Sequence, residues 1–283
     1  MRPQRIALVT GANQGIGYAL VEGLAARLDA ADLVLLTGRN PERVAAAAER
    51  VNGTAQVEGR VLDVTDATAV AELAADLQTR YGGVDIVISN AVGPLSPDRT
   101  QAEQADEFIA VANGGATAVL RSFAPVLRPA GSLIVVASSL GTLDHLDAKV
   151  QPLFEDGHTL DQIEQAVEDW RRTIHADTHA DHGWPDWINI PSKVAQVAAV
   201  RAVAAIRRTD DLAGDTLIAS VCPGLVDTRA SRPWFEDFSE ARSPAEAVQP
   251  ILDLILTRPI DPSTYGELIR DGKVLPWLGE TTD

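Results

Sequence analysis

Across 283 residues there is one cysteine, one methionine and three tyrosines, and 24 basic side chains stand against 40 acidic ones. The lone thiol, Cys222, excludes an internal disulfide and a cysteine-built zinc cage; within the apolar run 218–222 it reads as a packed core side chain. A net charge of −16 repels phosphate backbones and anionic lipid, which argues against nucleic acid and membrane surfaces as partners. No apolar stretch approaches the roughly 18 residues that span a bilayer. The start, Met1-Arg2-Pro3-Gln4-Arg5, runs into only four apolar residues before Thr10, too short a core for a secretion signal. A soluble cytoplasmic protein is the expectation. Lysine is scarce too: Lys149, Lys193 and Lys273 are the only three. Arginine used in place of lysine, alongside abundant alanine, reads as a coding bias. Lys193 therefore stands out as a lysine kept for its chemistry.

What is present is a regular alternation. Apolar runs at 5–9, 33–37, 56–62, 84–89, 132–137, 216–222 and 266–269 are rich in branched residues without a polar–apolar alternation. That pattern belongs to parallel strands buried on both faces. Helical stretches fall between them, at 16–28, 42–51, 67–81 and 104–127. The expected fold is α/β: a single doubly wound parallel sheet of the Rossmann type, with helices on both faces. No repeat or low-complexity linker divides the chain, so one domain over 1–283 is expected. Two segments break the rhythm. The first, about 140–186, reads as a helical insertion before the Lys193 helix, with a helix at 160–174. The second, 226–242, is rich in Arg, Pro, Asp and aromatics. It ends at Ser243-Pro244-Ala245-Glu246, a capping box with proline in the first turn.

Directly after the first strand comes Thr10-Gly11-Ala12-Asn13-Gln14-Gly15-Ile16-Gly17. Glycines between a strand and a helix let the backbone turn tightly and bring a pyrophosphate to the helix's free amides. The spacing of Gly11, Gly15 and Gly17 resembles the short-chain dehydrogenase/reductase family. Further matches follow in order: Asp63-Val64, Ser89-Asn90-Ala91, Asn113, Ser138-Ser139 and Pro223-Gly224. Two departures occur in one motif, where Ser89 replaces the family's first asparagine and Gly93 comes one residue late. Within the family the chain most resembles monomeric NADPH-dependent carbonyl reductases. Gly183-Trp184-Pro185, the long preceding segment, Cys222-Pro223-Gly224-Leu225-Val226, Ser243-Pro244 and the ending 272–277 carry that likeness.

The resemblance implies a monomer, a small-molecule carbonyl substrate and a cofactor, NADP(H). It implies cofactor contacts at Gly11, Asn13, Gln14, Gly15, Ile16, Gly17, Arg39, Asp63, Val64, Asn90, Ala91, Lys193, Pro223, Gly224, Val226 and Thr228. The phosphate preference also has a physical basis. Thr37-Gly38-Arg39 offers no carboxylate for a free ribose 2′-hydroxyl, and an arginine there favours a 2′-phosphate. Gln14, in place of a lysine common in the close relatives, weakens that preference slightly.

In the family, a tyrosine delivers the proton in carbonyl reduction, its pKa lowered by a lysine one helical turn later. A serine binds the substrate oxygen, and an asparagine supports a water that links the lysine to solvent. The resemblance assigns Ser139, Lys193 and Asn113 to the last three roles. It puts Asn189 in the tyrosine position. Tyr18, Tyr81 and Tyr265 lie in the first helix, the third helical stretch and the last strand, and none is placed to substitute. An amide can donate a hydrogen bond but is no acid near neutral pH. Ser139 and Asn189 could still stabilise an oxyanion, an effect of about 10²–10³ per donor, while loss of a general acid costs about 10²–10⁴. Three readings stand open: a slow or atypical NADP(H)-dependent oxidoreductase acting on a ketone, aldehyde or quinone; an NADP(H)-binding sensor or partner protein without turnover; and an active reductase in which Asn189 is an engineered replacement.

Two further groups draw attention. His175, His179 and His182 have the spacing of one helix face, which a divalent metal favours. Their polar surroundings and the helix-ending Asp181-His182-Gly183 favour a solvated helix end instead, so no metal is expected. Trp234, Phe235 and Phe238 suggest an apolar lid, with Trp184 and Trp187 at the border of the same pocket.

Overall fold

A computed structural model describes residues 3–279; Met1 and Arg2, part of the start considered above, lie outside the described residues. The elements run β1 (Ile6–Val9), α1 (Gly15–Arg27), β2 (Leu33–Gly38), α2 (Pro41–Arg50), β3 (Gln56–Val61), α3 (Ala67–Tyr81), β4 (Val84–Ser89), α4 (Gln101–Ile109), α5 (Gly115–Phe123), β5 (Leu127–Val136), α6 (Leu160–His175), α7 (Asn189–Ala213), β6 (Leu217–Val221), α8 (Pro244–Ala247), α9 (Gln249–Leu256), β7 (Leu268–Arg270) and β8 (Lys273–Leu275). They build an eight-stranded sheet in the order β3-β2-β1-β4-β5-β6-β7-β8, parallel except for the last pair.

Side chains of a strand alternate between its two faces, and here both faces are apolar. Ile6 and Leu8 of β1 join one core with Val70 of α3, Leu120 of α5 and Val194 of α7. Ala7 and Val9 join the other, with Leu24 of α1, Val44 of α2 and Leu252 of α9. The doubly wound α/β expectation is borne out. Chain order reverses on either side of β1, whose neighbours are β2 and β4. At such a switch point the loops leave a crevice beyond the strands' carboxyl ends, and the glycine segment after β1 borders it. Among the described residues no helix is long and apolar enough to cross a membrane.

The expected and observed elements differ in three instructive places. The helix expected at 104–127 starts earlier, because Thr100 and Glu103 form a capping box. A wide π turn at Ala110–Gly114 interrupts it, and it gives way near Pro125 to a short 3-10 turn. The strand expected at 132–137 begins at Leu127: Leu127 pairs with Val84, then the register shifts around Ala130, which has φ 58°. The antiparallel β8 was not anticipated. Its signal was Asp271-Gly272, whose φ values of 50° and 75° close a two-residue hairpin between Arg270 and Lys273.

The expected insertion is present and consists of short 3-10 turns followed by α6. Thr159 and Gln162 cap α6 reciprocally, and Ile163, Ala166, Val167, Trp170 and Ile174 form its buried stripe. Trp170, fully buried, lies with its ring centroid 5.9 Å from that of Trp184, which meets Phe154 edge-on at 6.0 Å. Replacing Trp170 by alanine should destabilise the fold by roughly 3–5 kcal/mol, read as a lower urea midpoint. A change below about 1 kcal/mol would mean that the insertion is not docked through this side chain.

Candidate active site

The cradle after β1 is stitched to the end of β4. Thr10 Oγ1 accepts from the amides of Asn90 (2.9 Å) and Ala91 (3.1 Å), while Asn90 Nδ2 donates to the carbonyls of Thr10 (3.0 Å) and Gly11 (3.2 Å). Glycine is required at two points. A Cβ on Gly11, where φ is 61°, would sit 2.7 Å from Ala91 Cα; one on Gly17 would sit 2.5 Å from Asn90 Nδ2. The following helix, α1, has no side-chain cap from Gln14 and no acid in its first turn, so the amides around Gly15, Ile16 and Gly17 face the crevice uncapped. That is the donor set an anion needs.

The other residues expected to hold a cofactor surround this cradle. Asn13 Oδ1 lies 3.1 Å from where a Cβ of Gly38 would be, at the end of β2. Arg39 is exposed, and its guanidinium reaches only to 3.4 Å from the Glu107 carboxylate. Asp63 accepts from the amide (3.0 Å) and hydroxyl (2.8 Å) of Thr65, a local turn that fixes its carboxylate, and Val64 packs where Gly115 leaves room. Pro223 and Gly224 (φ 78°) turn the chain out of β6. Val226 is buried and bridges to Arg242, and Thr228 Cγ2 lies 3.8 Å from the Cβ position of Gly15. The segment from 226 therefore folds back over the cradle.

Lys193 lies in the second turn of α7, almost wholly buried. Its ammonium donates to Gln196 Oε1 at 2.8 Å and to the Val136 carbonyl at 3.4 Å. Gln196 Nε2 in turn donates to the Ala112 carbonyl at 2.7 Å, inside the π turn. Next to it, Asn113 Nδ2 donates to the Ser192 carbonyl (3.0 Å) and Ser192 Oγ donates to Asn113 Oδ1 (2.8 Å). The π turn thus presents consecutive residues, Ala112 and Asn113, to the lysine's own helix. Burial pulls the Lys193 ammonium from the ordinary 10.5 down to about 8. Gln196 and Ser192 were not anticipated; the i, i+3 spacing of Gln196 from Lys193 was the available signal.

Ser139 begins a 3-10 turn capped by Ser138, whose Oγ accepts from the Leu140 amide. The turn is pressed against α7: a Cβ on Gly141 would come within 3.0 Å of the Lys193 carbonyl. The Ser139 side chain is half-buried, with no hydrogen bond among the described residues. Asn189 is the first residue of α7, half-buried and one turn before Lys193. Pro191 fits there because the first turn needs no amide donor. Trp187, two residues earlier, stacks at 5.5 Å on Trp234 of the 226–242 segment, and its buried Nε1 has no acceptor.

Several expectations are corrected or relocated. Trp184 belongs to the insertion core with Trp170 and Phe154, not with the Trp187–Trp234 pair. Phe235 is exposed and meets Phe238 edge-on. The three histidines do not share a helix face, since α6 ends at His175: His175 pairs with Asp106, His179 with Gln101 and Asp186, and His182 with the Thr178 carbonyl. The tyrosines are engaged elsewhere. Tyr265 donates to Asp211 at 2.7 Å, near the far end of α7, and burial raises its pKa further. Tyr18 lies under Arg50 and Tyr81 under Arg80.

A family model described as short chain dehydrogenase matches residues 5–148. The chain is 28% identical over 289 residues to carbonyl reductase (NADPH) 1 of Oryctolagus cuniculus, covering 97% of this chain and 99% of that protein. It is 29% identical over 294 residues to carbonyl reductase (NADPH) 3 of Rattus norvegicus, covering 96% and 98%. Among solved structures, salutaridine reductase from Papaver somniferum superposes with a TM-score of 0.79 at 22% identity, over 94% of this chain and 99% of that one. Menthone neomenthol reductase from Mentha piperita gives 0.74 at 23%, over 96% and 100%. At such identities the structural likeness speaks for the fold alone.

With only three lysines, carbon-13 labelled lysine side chains can be followed singly. The Lys193 signal should titrate near pH 8. Below that pH the folded chain bears the full cost of burying a cation; above 10.5 it bears none. Between the two the unfolded chain holds a proton that the folded chain has released, so stability rises with pH, by about 3 kcal/mol over the window. Urea unfolding of the wild type against Lys193→Met at pH 7.5 and 10.5 should show this difference. Parallel pH dependence in the two proteins would contradict it.

Proposed function

Because the chain belongs to the short-chain dehydrogenase family, we propose that it is an NADP(H)-dependent reductase of a ketone, aldehyde or quinone in which Lys193, not a phenol, is the proton source. One observation carries this reading: the buried Lys193 ammonium lies one helical turn from Asn189 and is held by Gln196, and its burial pulls the pKa down to about 8. The curated relatives named for NADPH and carbonyl reduction support the cofactor and reaction class.

The residues fit such a cofactor. Uncapped amides at Gly15, Ile16 and Gly17 would take the pyrophosphate, and Asp63 the adenine side. Arg39 needs only to leave its long contact with Glu107 to meet a 2′-phosphate. When bound, the nicotinamide supplies hydride to the carbonyl carbon. The chain's own task is the oxygen. Ser139 Oγ and the Asn189 amide donate hydrogen bonds to it, stabilising developing negative charge. Lys193 gives up a proton through an intervening water, yielding the alcohol and a neutral amine that solvent reprotonates. Gln196 keeps the Lys193 nitrogen in place in both protonation states. Trp187 and Trp234 give the substrate side an apolar wall, suited to a flat or aromatic carbonyl compound. We assign a monomer, since α6 packs over α4 and α7.

Asn189 itself favours a second reading, an NADP(H)-binding sensor or partner protein without turnover. Saturable NADPH binding is expected under both, and its absence would sink both. Arg39→Ala should weaken NADPH about tenfold or more while leaving NADH unchanged. For turnover, NADPH oxidation with a panel of ketones, quinones and aldehydes should proceed in the wild type and stay within about tenfold of that in Asn189→Tyr, while Lys193→Met loses about 10²–10⁴. Activity confined to Asn189→Tyr would establish the second reading instead.

A further inference from the structure

Behind the Lys193 network lies a half-open cavity of about 390 Å³, between α6 on one side and α4, the π turn, α5 and α7 on the other. Its volume falls in the range of small-molecule sites. The walls are apolar, with Ile109, Ile163, Val167 and Ala199 among them. At its inner end stand Asn113 and Gln196, both buried and both hydrogen-bonded within the chain, to Ser192 and to Lys193 and Ala112. The inner end therefore asks for nothing polar.

Charge is concentrated at the mouth. Asp106, Glu164 and Glu168 line it with one cation, Arg171. Arg171 is gripped by Asp106 and by both oxygens of Glu168, each at 2.7–2.8 Å. Its charge is thus already matched. A hydrogen bond from His175 and then Arg171 hold the Asp106 carboxyl below its usual range, and Arg171 does the same for Glu168, so both stay ionised at neutral pH. Glu164 meets Arg121 at 2.7 Å on its outer side and remains partly exposed. With their ion-pair partners included, Asp106, Glu164, Glu168 and Asp161 stand against Arg171 and Arg121, with His175 beside Asp106, so the mouth stays acidic on a chain that is itself strongly acidic.

We propose that this cavity is a second small-molecule site, separate from the cofactor crevice, which takes an organic cation: a compact apolar body inside and an ammonium group at the carboxylate mouth. An anion of the same shape would be repelled at the mouth. A neutral analogue would gain the apolar burial but not the charge-assisted contacts. The occupant would press on Gln196 and Asn113, so it would sit one side chain behind Lys193.

Calorimetry on the full chain, with and without NADPH, tests this with 4-phenylbutylamine, 4-phenylbutan-1-ol and 4-phenylbutyrate. The amine should bind saturably, one per chain, about tenfold or more tightly than the alcohol, and the acid should not bind. Ala199→Phe fills the cavity and should abolish amine binding. Glu164→Gln combined with Glu168→Gln changes only partly exposed side chains; it should weaken the amine about tenfold and leave the alcohol as it was. That pair decides the matter if the filled variant does not fold. No saturable amine binding, alcohol binding as tight as the amine, or amine binding unchanged in the rim variant would overturn the proposal.

Discussion

A charged lysine held inside α7 is the constraint around which the carboxyl end of this sheet is arranged. Burying an ammonium is costly unless its protons find acceptors, and three separate elements provide for that one. Gln196, three residues on, accepts directly; the end of β5 offers the Val136 carbonyl; and the π turn between α4 and α5 steadies Gln196 through Ala112. The π turn is the least regular part of the helical layer, and it is placed where two consecutive residues must face α7. Gly141 lets the Ser139 turn approach within contact of the lysine's own backbone. The Ser139 turn and the start of α7, which carries Asn189 and Lys193, are therefore held together by close packing that a bulkier residue at 141 would prevent.

The same arrangement suits a site without a phenol. A tyrosine beside a lysine works because the ammonium lowers the phenol's pKa. In the function we propose, an amide at 189 leaves that coupling nothing to act on, and the lysine's own acidity becomes the relevant quantity. Burial has already brought it close to neutral pH, where a general acid is most effective. Gln196 holds the ammonium without contributing charge, which a carboxylate at that position would not do.

Much of this was legible in the sequence because the informative residues act locally. Gly11, Gly15 and Gly17 between a strand and a helix announce a cradle, and branched apolar runs without alternation announce a sheet covered on both faces; β4 and α3 have the bounds expected of them. The Asp271-Gly272 hairpin was as local and as visible, but too close to the end of the last expected strand to be separated from it. What stayed hidden depends on contacts distant in sequence. Gln196 gains its meaning from Ala112, 84 residues away, and Asn113 from Ser192, 79 residues away. The histidines misled because their spacing assumed a helix that ends at His175. Trp184 and Trp187, three residues apart, face different neighbours, one the insertion core and the other the lid.

Whether Lys193 takes the place of the missing phenol is tested most directly by the pH dependence of turnover. The rate of NADPH oxidation with a saturating ketone, measured from pH 6 to 10, should fall as pH rises through about 8, where Lys193 loses its proton. A rate that stays level across that range would show that the proton comes from elsewhere.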